Sequence, residues 1–338
     1  MAFLNSLSHW SESLGVSAPA FYVLFFLACS FLMIWRLEAL SAGGFEGTVL
    51  GTVIMPYCSG LGNLVFAFLI GYRHGKGEEV VVNCLVNNVT NLTLLIGLPA
   101  LIWGLVVVPV AGTPLKRKRK KSIDPAPEVD RLSLLLSMLA VLFFTGITWT
   151  VAKDGTIGFS DGLVLISVFA FWQMFHVFDV LKDNVRQNKK LRLSVFLNLL
   201  ILGAGAWGIY WSTDCLVTWL STVKTGFISS RQIGWLTGWL MVIPNGILAF
   251  YYGWKKKAEV VYTSQVGDGH ICIPLCIGIA ALFRPVPLPA FFVLGVGLLA
   301  ASTTVHLFCV AVLGRLPRFV GGLLCLGYGI FVYRGLLP

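Results

Sequence analysis

The chain has 338 residues, of which 57% are hydrophobic and only 12% charged; its mean hydropathy is +0.83 and its formal net charge +10. Soluble domains run nearer a quarter charged, and this much apolar surface on a soluble body would leave large sticky patches. The apolar runs are continuous rather than alternating, which excludes a membrane β-barrel, and the charges sit in short connectors, which points to a topology signal rather than to nucleic-acid binding.

Apolar stretches of about 20 residues recur, the length a helix needs to cross about 30 Å of hydrocarbon. Residues 1–17 lack the basic start and small-residue cleavage site of a signal peptide, so the first span is expected to stay in the mature protein. Ten spans are expected: 18–40, 45–71, 78–109, 131–152, 157–181, 194–220, 231–253, 257–281, 288–313 and 317–336. The third is long, with a bend expected near Pro99. Gly and Pro are tolerated in such helices because neighbours can satisfy the freed backbone groups. The eight cysteines (Cys29, Cys58, Cys84, Cys215, Cys272, Cys276, Cys309 and Cys325) fall mostly in apolar runs and read as small hydrophobes, with no disulfide framework.

Five spans lie on each side of a basic connector, which suggests duplication. KDGTIGFSDGLVLISVFAFWQMFH (153–176) answers RLPRFVGGLLCLGYGIFVYRG (315–335), each with a polar start, a glycine, an aliphatic pair and an aromatic run. IMPYCSGLGNLVFAFLIGY (54–72) answers LMVIPNGILAFYYGW (240–254), and each is followed by a basic turn and Glu78 and Glu79, or Glu259. The expected fold is therefore all-α and integral to the membrane, about ten transmembrane helices as two inverted five-helix repeats. Residues 1–111 and 131–190 form the first repeat, 112–130 a basic cytoplasmic connector and 191–338 the second repeat. An odd number of spans per half inverts the second copy, a transporter architecture with its site where broken helices meet.

Placing the amino terminus outside leaves eighteen Lys and Arg on inner connectors and helix ends, including the run Lys116 to Lys121, against seven on the other side. That bias puts the 112–130 connector in the cytoplasm. The run could bind anionic lipid heads or serve as a topology signal alone. Without a long soluble domain, a prokaryotic plasma membrane is the expected location.

The third span carries VNCLVNNVTNLTLLIGL (82–98). Asn83, Asn87 and Asn91 recur every fourth residue, with Thr90 and Asn88 alongside, and so form one polar strip on a helix. Amides in mid-membrane need partners. They could zip helices together, or their carbonyl oxygens could line a wet, cation-coordinating cavity. In the second half, EVVYTSQVGDGHICIPLCIGI (259–279) places Ser264 and Asp268 in the corresponding stretch. A carboxylate deep in a span is a functional-site hypothesis by default. His270 reads as a packing residue, with a proton relay or, together with Cys272 and Cys276, a soft-metal site as the sharper alternatives. His176 and Asp179 are expected near water at the inner end of the fifth span. No pairing of acid with base, or nucleophile with base, suggests an enzyme.

These motifs resemble the Ca²⁺/cation antiporter superfamily, which includes sodium/calcium exchangers. Its repeats carry a pattern like G-T-S-L-P-E on one helix and G-N-x-x-G-S-N-x-x-N on the next. The second pattern survives as Asn83, Asn87, Asn88 and Asn91, with Gly97 ending the following aliphatic run. The first is reduced to Cys58-Ser59-Gly60-Leu61-Gly62-Asn63 and to Val242-Ile243-Pro244-Asn245, and residues 200–222 resemble the family's sixth span. The resemblance implies a secondary cation antiporter working by alternating access, with no cofactor, and Asn63, Asn83, Asn87, Asn88, Asn245, Ser264 and Asp268 around the ion. The family's two central glutamates fall on Asn63 and Asn245. Calcium takes six to eight oxygens, usually including carboxylates, so altered selectivity is expected, with Na⁺, K⁺, Ca²⁺ or H⁺ as candidates. A transport-inactive scaffold or regulator descended from the family is the alternative.

Overall fold

The computed structural model describes residues 17–42, 55–73, 75–107, 126–187 and 193–336. The Lys116 to Lys121 run and the side chains of Cys58, Ser59, His176 and Asp179 lie outside the described part. The helices of the first half are α1 (Ala18–Ala42), α2 (Met55–Tyr72), α3 (Glu78–Val89), α4 (Ile96–Trp103), α5 (Ala126–Val151) and α6 (Phe159–Gln187). Those of the second are α7 (Leu193–Thr222), α8 (Ile233–Trp254), α9 (Ala258–Ile271), α10 (Ile277–Phe283), α11 (Phe292–Phe308) and α12 (Arg318–Leu336). Two-residue strands β1 (Leu105–Val106), β2 (Thr156–Ile157), β3 (Val286–Pro287) and β4 (Arg315–Leu316) lie between helices, with a 3₁₀ turn at Ser230–Gln232 before α8 and a π turn at Cys309–Leu313 after α11.

A single turn of π-helix, Thr90–Leu95, joins α3 to α4 into one rod, and another, Cys272–Cys276, joins α9 to α10. The described helices therefore make ten rods, five in each half. Seven are long and apolar enough to cross a membrane on those grounds alone, and two shorter apolar helices cover Gly60–Tyr72 and Phe159–Phe175.

The third rod departs from the expected bend. Its irregularity is the π turn, upstream of Pro99, and α4 runs through Pro99 to Trp103. Pro99 falls in the first turn after the π segment, where a missing N–H is least costly. The rod stops at Gly104, whose φ of +69° favours a residue without Cβ, rather than near residue 109.

The packing obeys a two-fold exchange of halves. α1 packs on α7, and α5 on α11, each on its own counterpart. The contact of α2 with α9 is mirrored by that of α8 with α3, and α4 on α12 by α10 on α6. The strands follow the same rule, for β1 pairs with β4 and β2 with β3, both antiparallel. These ladders also fix the parity of the crossings. β1 follows the third rod and β4 the ninth, so both lie on one side; β2 follows the fourth and β3 the eighth, so both lie on the other. Ten alternating crossings satisfy both pairings.

Close crossings are made by glycines in matching positions. A Cβ on Gly321 of α12 would sit 2.5 Å from the Gly97 oxygen of α4, and one on Gly162 of α6 would sit 2.8 Å from the Gly278 oxygen of α10. Large apolar side chains cover the outside, such as Leu132, Leu136, Leu139 and Phe143 along α5 and Phe319, Leu323, Leu326 and Ile330 along α12. In water such stripes would aggregate; against lipid they match the acyl chains. The two π-broken rods are the most enclosed, and they bring the polar groups to the centre.

Candidate functional site

The amide strip of the third rod points inward. Asn83, Asn87, Asn88 and Asn91 are all fully buried, as are Asn63 on α2 and Asp268 on α9. Asn245 on α8 and Ser264 on α9 are buried as well. When Gly97 is aligned with Gly278, Asn83 corresponds to Ser264, Asn87 to Asp268 and Asn91 to Cys272, so the two broken rods offer equivalent positions from opposite directions.

Asp268 is where the halves meet. Its Oδ2 accepts a hydrogen bond from Asn245 Nδ2 at 2.6 Å and another from Asn91 Nδ2 at 3.1 Å. Asn91 Nδ2 also donates to Asn87 Oδ1 at 3.0 Å, and Cys272 Sγ approaches the same Asn87 oxygen at 3.8 Å. One network thus joins the π turn of the third rod, α8 and the eighth rod. Gln265 extends it, with Nε2 donating to the main-chain oxygen of Asn245 at 3.2 Å and to Ser264 Oγ at 2.8 Å.

The remaining expected residues sit around this network with different partners. Asn83 Nδ2 donates to Thr237 Oγ1 on α8 at 3.0 Å. Asn88 turns back to its own helix, donating to the Cys84 carbonyl at 2.7 Å. Asn63 has no hydrogen bond on either amide atom among the described residues. The carbonyl oxygens of Asn63, Asn83, Asn88, Asn91 and Gln265 are all enclosed and accept no hydrogen bond among the described residues. Each such oxygen costs about 1–3 kcal/mol if nothing else binds it. Amide pairing of the kind that zips helices together leaves these oxygens without a partner among the described residues.

A small cavity reaches Asn245 from the side of α1 and α7. Phe26, Ser30, Ile34, Gly62, Ile209, Met241 and Pro244 line the rest of it.

One expected polar group holds packing. His270 Nε2 lies 2.9 Å from the Ser137 carbonyl of α5, and its ring meets those of Phe144 and Trp172. Sequence reasoning passed over three residues that the structure places at the site. Gln265 adjoins Ser264, and its amide was the available signal. His306 Nε2 lies 2.7 Å from the Leu92 carbonyl in the π turn, and Tyr262 Oη lies 3.2 Å from His306 Nδ1. With Nε2 donating to Leu92, Nδ1 accepts from Tyr262, so one neutral tautomer ties α9, α11 and the third rod together. A lone His in an apolar run carried no sequence signal for that role.

A family model for sodium/calcium exchanger protein matches residues 14–178 and 197–336. The chain belongs to the sodium/calcium exchanger protein family. Solved structures of the sodium-calcium exchanger NCX_Mj share the fold. The form soaked with 2.5 mM Na⁺ and 10 mM Sr²⁺ superposes with a TM-score of 0.67 at 17% identity, over 94% of this chain and 98% of that one. The form soaked with 100 mM Na⁺ and 10 mM Sr²⁺ gives 0.66 at 18% identity, over 93% and 97%. No curated relative matches the sequence. The exchanger family is one of membrane cation transporters rather than enzymes, and its inverted repeats account for the exchange of halves seen in the packing.

Proposed function

We propose that this exchanger-family chain carries an inorganic cation by alternating access, exchanging it for a second cation at a site centred on Asp268. The observation that carries the reading is the meeting at one carboxylate oxygen of Asn91 from the first half and Asn245 from the second. Asn63, Asn83, Asn87, Asn88, Ser264 and Gln265 supply further oxygens around it. An amide that now gives its NH₂ to Asp268 can turn its carbonyl toward a bound cation by rotation about its terminal bond. The unsatisfied carbonyl oxygens then replace water ligands, and the halves can rock around a site that stays fixed.

Charge sets the preference. Asn63 and Asn245 contribute no negative charge, which leaves Asp268 as the carboxylate of the network. A divalent ion held there would keep an uncompensated positive charge in mid-membrane, whereas a monovalent ion is neutralised. Na⁺ or K⁺ therefore suits the site better than Ca²⁺. The charge bias further supports an orientation with the amino terminus outside and the 112–130 connector in the cytoplasm, and the short connectors suit a prokaryotic plasma membrane.

Titration calorimetry of purified protein with Na⁺, K⁺ and Ca²⁺ tests this. The expected result is binding of a monovalent ion in preference to Ca²⁺, abolished by Asp268→Asn. Binding of none of the three, in a protein that remains folded, would instead support a scaffold without transport.

A further inference from the structure

We infer that this carrier also moves its cation without a counter-ion, because its own amides can take the cation's place on Asp268. The inference rests on the transport reading above and concerns how tightly transport is coupled. Strict exchange requires that the ion-free carrier be barred from switching sides. An electrostatic bar serves well, since a buried carboxylate stripped of its cation is costly to enclose and holds the site open to water.

At Asp268 that bar is lowered by the chain itself. Oδ2 receives N–H groups from Asn245 at 2.6 Å and Asn91 at 3.1 Å, with all three residues enclosed. Hydrogen bonds to a carboxylate stabilise its charged form. The donors belong to different rods, α8 and the third, so the clamp closes across the line between the halves. Asn87 Oδ1 holds Asn91 in place by accepting from the same Nδ2 at 3.0 Å.

Amides suit both states of the cycle. An Asn presents a carbonyl oxygen to a cation and an NH₂ to a carboxylate. An ionised carboxylate at Asn245 would serve the loaded state alone, because it has nothing to donate and would repel Asp268 once the ion left. Replacing acid by amide at this position therefore changes more than selectivity: the ion-free carrier can close and return.

Proteoliposomes loaded with radiolabelled sodium, rubidium or calcium in separate sets, each as the thiocyanate, provide the test. Thiocyanate crosses the bilayer and prevents a membrane potential from halting net cation loss, and lumenal pyranine reports protons. For the transported cation, efflux into choline medium is expected to stay within about threefold of efflux into medium holding that cation, without acidification of the lumen. Efflux that is about a hundredfold faster with external cation, or that is matched by proton entry, overturns the inference while leaving cation transport standing. Absence of flux in every set and medium overturns the transport reading itself. Asn245→Asp and Asn91→Asp each remove a donor and add a charge. The ratio of uncoupled to exchange efflux should fall by about tenfold or more in either variant, and an unchanged ratio in both rejects the amide clamp.

Discussion

At the scale of single residues, the proposed site differs from a divalent-cation site mainly in charge. Asn63 and Asn245 lie on the two broken-motif helices, one from each half, and both are enclosed. Restoring acid there supplies the hard, negative oxygens that Ca²⁺ prefers. Asn63→Glu with Asn245→Glu is expected to raise Ca²⁺ affinity by about tenfold or more relative to Na⁺, read by calorimetry on the purified double variant. Unchanged relative affinity would place the ion away from these two positions. The amide pattern of the third rod was plain in the sequence because its four-residue spacing can lie on only one helical face. Which amide meets Asp268 was not plain, because Asn88 and Asn91 are chemically alike and differ only in direction. Asn88 turns back to the Cys84 carbonyl while Asn91 crosses to α9.

At the scale of elements, the π turns and the glycine crossings work together. The π turn inserts an extra residue and leaves carbonyls short of helical partners. The Leu92 carbonyl is one that gains an outside donor, His306. Beyond the π turns of the third and eighth rods, the short helices α4 and α10 press their backbones against α12 and α6 through Gly97–Gly321 and Gly278–Gly162. A side chain there meets backbone, which cannot yield as a flexible side chain would. Gly321→Val is expected to destabilise the protein by about 1–3 kcal/mol or more, seen as a lower unfolding temperature in detergent, and Gly162→Val should do the same at the related crossing. A normal unfolding temperature in both variants would mean that these helices do not approach so closely. The sequence marked this region with Pro99, yet proline was the wrong signal. It sits early in α4, where the helix accepts it, and the break comes before it.

At the scale of the whole molecule, parity of crossing is the governing constraint. The β1–β4 and β2–β3 ladders lie on opposite sides of the bundle, and towards the β2–β3 side Arg73, just past α2, pairs with Asp214, about two turns before the end of α7, at 2.5 Å. Glu79, at the start of α3, accepts from the Gly234 N–H of α8 at 2.8 Å on that same side. In the orientation proposed from the Lys and Arg bias, that side is the outer one. In a background without the native cysteines, Lys153→Cys should react with a membrane-impermeant maleimide added outside, and Lys256→Cys only after the membrane is opened. The reverse pattern would invert the proposed orientation without disturbing the fold.

Composition and periodicity by themselves determined that the chain is an all-helical membrane protein, that it is duplicated, and that amides and one acid lie within its spans. These features are legible because hydrocarbon imposes a length on every helix and forbids unsatisfied backbone, so the constraint is written locally. Only the tertiary structure decided which amide reaches Asp268, which carbonyls are left without partners among the described residues, and where the third and eighth rods break. Those outcomes depend on the phase of each helix relative to its neighbours. A single extra residue in a π turn shifts that phase by about 100°, and no linear pattern records the shift.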